Sequence, residues 1–169
     1  MTVFVESKTY PVHLYVYDLS RGMARQLSEA IVGIPLEGIW HTSVVAYGVE
    51  TYFGHGIQQS LPAQTHHGYP QEVIEMGRTE IPPELFREFL EDLNSKYHAA
   101  SYDLFENNCN HFSQSLCEFL TGKNIPSHIS DLPRTVLDTP FGKMLKPMLE
   151  QSFRPIVQAP TTNPATLRD

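Results

Sequence analysis

Both cysteines of the chain and one of its eight histidines fall in a single stretch from Phe105 to Gly122, which reads FENNCNHFSQSLCEFLTG. Thiols and an imidazole this close together suggest either nucleophilic catalysis or a metal centre, and spacing decides between them. Phe112, Leu116, Phe119 and Leu120 recur at helical intervals and Thr121-Gly122 supplies a stop, so a helix is predicted from Cys109 to Leu120. At about 100° per residue Cys109 sits within the apolar stripe, while His111 is rotated roughly 160° from it, toward solvent. Cys117 lies about 12 Å further along the axis, whereas a disulfide needs Cα atoms within about 7 Å. It reads as a small buried hydrophobe. The same geometry separates the ligands that a zinc site built from Cys109, His111, Cys117, His66 and His67 would need. No metal and no cofactor is expected.

A thiol at a helix amino terminus benefits from exposed backbone N–H groups and the helix dipole. Bringing a thiol well below neutral takes at least about 2 kcal/mol, and a helix end supplies about 0.3 to 1. Cys109 therefore requires a cationic partner, and histidine is the usual one. His66 and His67 fall in a predicted loop, His55 in a glycine turn, His98 after a helix and His128 beside Pro126, all read as solvent-facing. His13 is on the polar face of a predicted strand and stays open. His41, inside the apolar run GIWHTSVV, is the better candidate because a polar ring is otherwise unwelcome there.

The elements that must position these residues are legible in outline. Val12, Leu14 and Val16 alternate with polar or aromatic neighbours, which predicts a strand. A helix is predicted after Ser20, its candidate N-cap, with Ala24, Leu27 and Ile31 on one face and Gly33 as stop. IWHTSVVAYGVETYFG predicts a hairpin turning near Gly48. Residues 54–71 predict a loop, and EVIEM a short strand. Pro82-Pro83 open a helix whose stripe is Leu85, Phe86, Phe89, Leu90 and Leu93. That spacing also imitates a leucine-rich export signal, although core-facing amphipathic helices do so routinely. Two short helices follow, around DLPRTVLDT and GKMLKPMLE. From Gln151 the Pro- and Thr-rich chain is expected to fray. The pattern is α/β in the α+β sense.

At 169 residues the chain fits one domain, and 41% hydrophobic with 18% charged residues is a globular balance. A formal net charge of -7 argues against nucleic acid or an anionic membrane as the main partner. No apolar run approaches the roughly 18 to 20 residues that span a bilayer, and the first residues lack a signal-peptide pattern. The expected location is cytoplasmic and nuclear, with reduced thiols.

The segments YPVHLYVYDLSRGMARQLS, LEGIWHTSVV, YDLFENNCNHFS, FLTGKNIPSHISDLP and TPFG together resemble the PPPDE family of cysteine peptidases, most closely its desumoylating isopeptidase branch. The resemblance runs from about Tyr10 to Glu150. It implies a permuted papain-like fold, a small mostly antiparallel sheet packed with helices, over residues 10–150, leaving 151–169 as a flexible tail. It assigns the catalytic histidine of the Trp-His-Thr motif to His41 and the nucleophile of the Asn-Cys-Asn motif to Cys109. It further implies SUMO-conjugated proteins as substrates and a homodimer with the groove near the subunit boundary.

The leading expectation is isopeptide cleavage by Cys109 with His41 as base, the Cys109 N–H and the Asn108 side chain being candidates for holding the oxyanion. The same dyad would also serve protein S-acyl thioester hydrolysis. A third possibility is a non-catalytic adaptor, which would have no need of both His41 and Cys109.

Overall fold

In the computed structural model, which describes residues 6–161 and 164–167, the chain builds a single antiparallel sheet. Its strands are β1 (Tyr10–Asp18), β2 (Trp40–Ala46), β3 (Val49–Gly54), β4 (Gly56–Ser60) and β5 (Glu72–Thr79), in the order β4-β3-β2-β1-β5. The alternation read in β1 holds: Val12, Leu14 and Val16 are buried on one face, against α3 (Cys109–Thr121). With α1 (Met23–Val32), α2 (Pro83–Leu93), α4 (Ser127–Ser130), α5 (Leu132–Leu137) and α6 (Pro140–Val157), the result is the α+β arrangement expected.

The β2–β3 hairpin turns through Tyr47 and Gly48, both at positive φ (55° and 73°), as a tight two-residue turn requires. Tyr47 accepts this conformation because its ring packs against Tyr10 and Phe86 and its hydroxyl donates to the Ile81 carbonyl. Helix α1 starts at Met23, with Gly22 at the N-cap position; Ser20 accepts from the Ala24 N–H without itself being the cap. On α1 it is Ala24, Ser28 and Val32 that are buried, while Leu27 and Ile31 remain 41% and 45% exposed. On α2 the inner positions are Phe86 and Leu90; Leu85 is exposed.

Two expectations need correction. The segment 54–71 is not all loop, because Gly56–Ser60 forms β4 along the outer edge of β3. Its glutamines hid it: an edge strand needs little apolar alternation when its partner strand supplies the backbone hydrogen bonds. Nor does the chain fray from Gln151, because α6 continues to Val157 despite Pro147 and Pro155. Each proline removes one helical hydrogen bond, and the end of the helix is held against the sheet through Val157, 0% exposed. Val157 sits so close to β3 that a Cβ on Gly54 would collide with the Val157 carbonyl oxygen. Beyond the helix, Thr161 bonds Tyr52 and Gln58, Ser60 pairs with Pro164, and Leu167 is buried. The described part of the carboxyl-terminal segment is thus a strap across β3 and β4.

A Val157→Asp substitution places a charge in this contact. It is expected to lower unfolding free energy by about 3 kcal/mol or more in urea titration, where a frayed segment would give less than about 0.5.

Candidate active site

Asn108 caps α3 and makes Cys109 its first residue. The Asn108 carboxamide oxygen accepts from the N–H groups of Asn110 and His111, and its NH2 donates to the Leu104 carbonyl. The Asn108 N–H donates to His111 Nδ1, completing a reciprocal capping box. His111 is exposed, as its rotation predicted, but it works as part of the cap. The cap also answers for Asn108. Its amide oxygen is committed to the helix start and one of its two amide hydrogens to the Leu104 carbonyl, which ties the residue before Cys109 in place.

Asn110 joins the helix to the sheet. Its NH2 donates to the Trp40 carbonyl at 3.0 Å, and its oxygen accepts from the Thr42 hydroxyl at 2.8 Å, bracketing His41 on β2. Cys109, 2% exposed, is thereby held against the strand. Burial pushes its thiol pKa up, opposed by backbone N–H groups of Thr42, Asn110 and Cys109 itself and by the Tyr102 hydroxyl, which lies 3.8 Å from the sulfur. Tyr102, itself buried, and Asn110 were missed in the sequence. The only signal was their place in YDLFENNCN, where two asparagines flank a helix-opening cysteine.

His41 lies beside Cys109 in the chain path but faces the other way. Thr42 points to α3, so strand alternation sends the imidazole to the opposite sheet face. There it is 0% exposed, between the rings of Tyr17 and Tyr52 at 5.7 and 5.6 Å, and stacked on His67 at 3.8 Å. Its two ring nitrogens have no hydrogen-bond partner among the described residues. Burial, helped by His66, lowers its pKa to about 3. In this state thiol and imidazole are both neutral and unjoined. The structure thus does not bring the His41 imidazole to the Cys109 sulfur.

His66 and His67 are not solvated loop residues, contrary to the pattern. The segment after β4 folds over the sheet so that His66, His67 and His41 form a stack, with His66 Nε2 against the Ile156 carbonyl at 2.8 Å. Beneath the stack Glu50 is fully buried. It accepts from the hydroxyls of Tyr17 and Ser43 and, through its other oxygen, from the Ala63 N–H, which pins the covering loop. Among the described residues no group of three or more His, Cys, Asp or Glu is arranged to hold a metal ion.

On the α3 side Cys109 borders an apolar cavity of about 400 Å³. Met23, Leu27 and Ile31 of α1, Trp40 of β2, Val136 of α5 and Phe153 of α6 line it. Cys117 is separate from it, 0% exposed, its pKa raised to about 12 by burial and by Glu118.

Residues 10–150 match the model of the "PPPDE putative peptidase domain" family. The chain is 51% identical over 143 residues to desumoylating isopeptidase 1 of Rattus norvegicus, covering 83% of this chain and 85% of that protein. The Homo sapiens protein of the same name matches to the same extent. A DeSI-like protein of Arabidopsis thaliana is 35% identical over 130 residues, 76% of this chain and 58% of its own.

The two thiols should differ in reactivity. A small neutral alkylating agent is expected to modify Cys109 well before Cys117 in the native protein, read by peptide mass spectrometry. Equal rates, or Cys117 first, would contradict the placement of Cys109 beside a cavity.

Proposed function

The chain belongs to the PPPDE peptidase family, and on that premise we propose that it is a thiol isopeptidase that removes SUMO from modified proteins, with Cys109 as nucleophile and His41 as its base. The observation that carries the reading is the seating of a buried thiol at the start of α3 against the peptide that joins His41 to Thr42. The printed names of the relatives support SUMO conjugates as the substrate class.

In this scheme the His41 imidazole must first reach the α3 face, where it takes the Cys109 proton and the thiolate attacks the isopeptide carbonyl carbon. The carbonyl electron pair moves to oxygen, where the Cys109 N–H at the helix start stabilises it. Collapse breaks the C–N bond, and the lysine amine leaves with the proton from His41. Water, deprotonated by His41, then cleaves the thioester and returns the free thiol. Tyr102 and the Thr42 N–H hold the sulfur in place between the two half-reactions.

A second reading, hydrolysis of protein S-acyl thioesters by the same dyad, is favoured by one feature, the apolar cavity that ends at Cys109. An extended acyl chain of about fifteen methylenes fits the chemistry of such a lining, each buried CH2 contributing about 0.8 kcal/mol. The homodimer and the cytoplasmic and nuclear location implied by the resemblance belong to the same proposal; exposed Phe141, Met144 and Met148 on α6 offer apolar surface for association.

A SUMO-derived electrophilic probe is expected to label Cys109, with labelling abolished in Cys109→Ser and slowed at least about 100-fold in His41→Ala. SUMO-conjugate cleavage by Cys109→Ser at the wild-type rate would sink the scheme. Turnover of a fluorogenic acyl thioester without SUMO-probe labelling would favour the second reading.

A further inference from the structure

Tyr102 is buried, 4% exposed, yet among the described residues its hydroxyl has one hydrogen-bond acceptor, the Cys109 sulfur at 3.8 Å. A buried tyrosine hydroxyl ordinarily finds a stronger partner, since a thiol is a weak acceptor. The chain around it is nonetheless fixed. The turn from Asp103 to Asn107 closes through a reciprocal pair of main-chain hydrogen bonds at 3.0 and 3.1 Å, and the Asn107 NH2 donates to the Lys96 and Ser101 carbonyls. That turn brings Tyr102 back to the start of α3, where its ring packs on Phe53 at 4.9 Å. Tyr102 and Cys109 border the same cavity.

We propose that the Tyr102 hydroxyl is a second oxyanion donor, paired with the Cys109 N–H, for the acyl group that Cys109 attacks. The proposal rests on Cys109 as the nucleophile, holds for an isopeptide or a thioester carbonyl alike, and does not depend on which base takes the thiol proton. A carbonyl carbon bonded to Sγ carries its oxygen one bond beyond the sulfur. A donor 3.8 Å from the sulfur is therefore placed to come within about 2.7 to 3.1 Å of that oxygen. The two donors converge, because the Cys109 N–H bears on both the sulfur and the Tyr102 oxygen. The other side chain at the sulfur has the opposite polarity: Asn110 presents its carboxamide oxygen, an acceptor, to the thiol at 3.8 Å. The Thr42 N–H reaches the sulfur from the sheet rather than from the cavity.

In the step itself the C–S bond forms as the carbonyl π pair moves to oxygen, which accepts a hydrogen bond from Tyr102 without taking its proton. On collapse the pair returns and the bond to the leaving group breaks, a leaving lysine nitrogen taking its proton as in the scheme above. Burial, followed by the neighbouring Cys109 sulfur, holds the Tyr102 hydroxyl pKa well above its ordinary value, so the hydroxyl remains a donor throughout.

Tyr102→Phe keeps the ring and removes the donor. In single-turnover cleavage of a SUMO–lysine isopeptide conjugate, the rate constant at saturating enzyme is expected to fall about 100-fold, with half-saturation within about twofold of wild type. Alkylation of Cys109 by iodoacetamide, which forms no oxyanion, is expected to slow by less than about fivefold. A turnover loss that exceeds the alkylation loss by less than about tenfold overturns the proposal, since Tyr102 then acts on the thiol alone. Where Tyr102→Phe does not fold, meta-fluorotyrosine at position 102, a stronger donor of nearly the same shape, is expected to raise turnover about twofold without a matching rise in alkylation. Unchanged or slower turnover there overturns the proposal. Failure of the premise reads differently. A wild-type protein that leaves the conjugate intact but turns over a fluorogenic acyl thioester displaces the SUMO reading alone, and the same comparison is then made on the thioester. A wild type inactive on both, or Cys109→Ser as active as wild type, removes the nucleophile and the proposal with it.

Discussion

The two hydrogen bonds by which Asn110 ties the first turn of α3 to β2, one to the Trp40 carbonyl and one from the Thr42 hydroxyl, set the rest of the site. They straddle a single residue, His41. With the helix start fixed there, the Cys109 sulfur can only lie against the His41–Thr42 peptide, and the apolar stripe of Phe112 and Leu116 can only fall on the Val12, Leu14 and Val16 face. Packing of that stripe would hold α3 on the sheet but would tolerate rotation. The polar pair does not, because a slip would leave a buried carbonyl and a buried hydroxyl without partners, at about 1 to 3 kcal/mol each.

The sheet therefore has two faces of opposite character. The α3 face is apolar, while the far face buries Tyr17, His41, Ser43, Glu50 and Tyr52 under the loop that follows β4. Three donors, at about 0.5 to 1.5 kcal/mol each, offset part of the cost of taking the Glu50 carboxyl group out of water.

His41 and Cys109 could be singled out in the sequence because each broke a pattern: an imidazole in an apolar strand and a thiol in the core stripe at a helix start. Asn110 and Tyr102 broke none, since a polar residue near a helix cap is ordinary and a tyrosine in a core is ordinary. The His66–His67 pair was read as solvated because nothing in a loop of Gly, Pro and Gln says which sheet face it will fold over; that is decided by the Glu50–Ala63 contact, thirteen residues apart. Likewise the Pro- and Thr-rich stretch from Gln151 looked like the end of order, and only the approach of Val157 to Gly54, more than a hundred residues upstream, reverses that reading. Local periodicity carries the elements; long-range polar contacts carry their exceptions.

The resting state places burial above activation. A helix terminus contributes about 0.3 to 1 kcal/mol toward a thiolate, and the Thr42 and Asn110 amides add to it, yet desolvation still leaves Cys109 protonated. His41 is held neutral by the same cause. Both shifts oppose charge separation in the closed site, and both shrink with any change that brings polar atoms to the sulfur or the ring. A polar group entering the cavity beside Cys109 would be such a change. Burial of this kind keeps a thiol protonated and so restrains its reactivity.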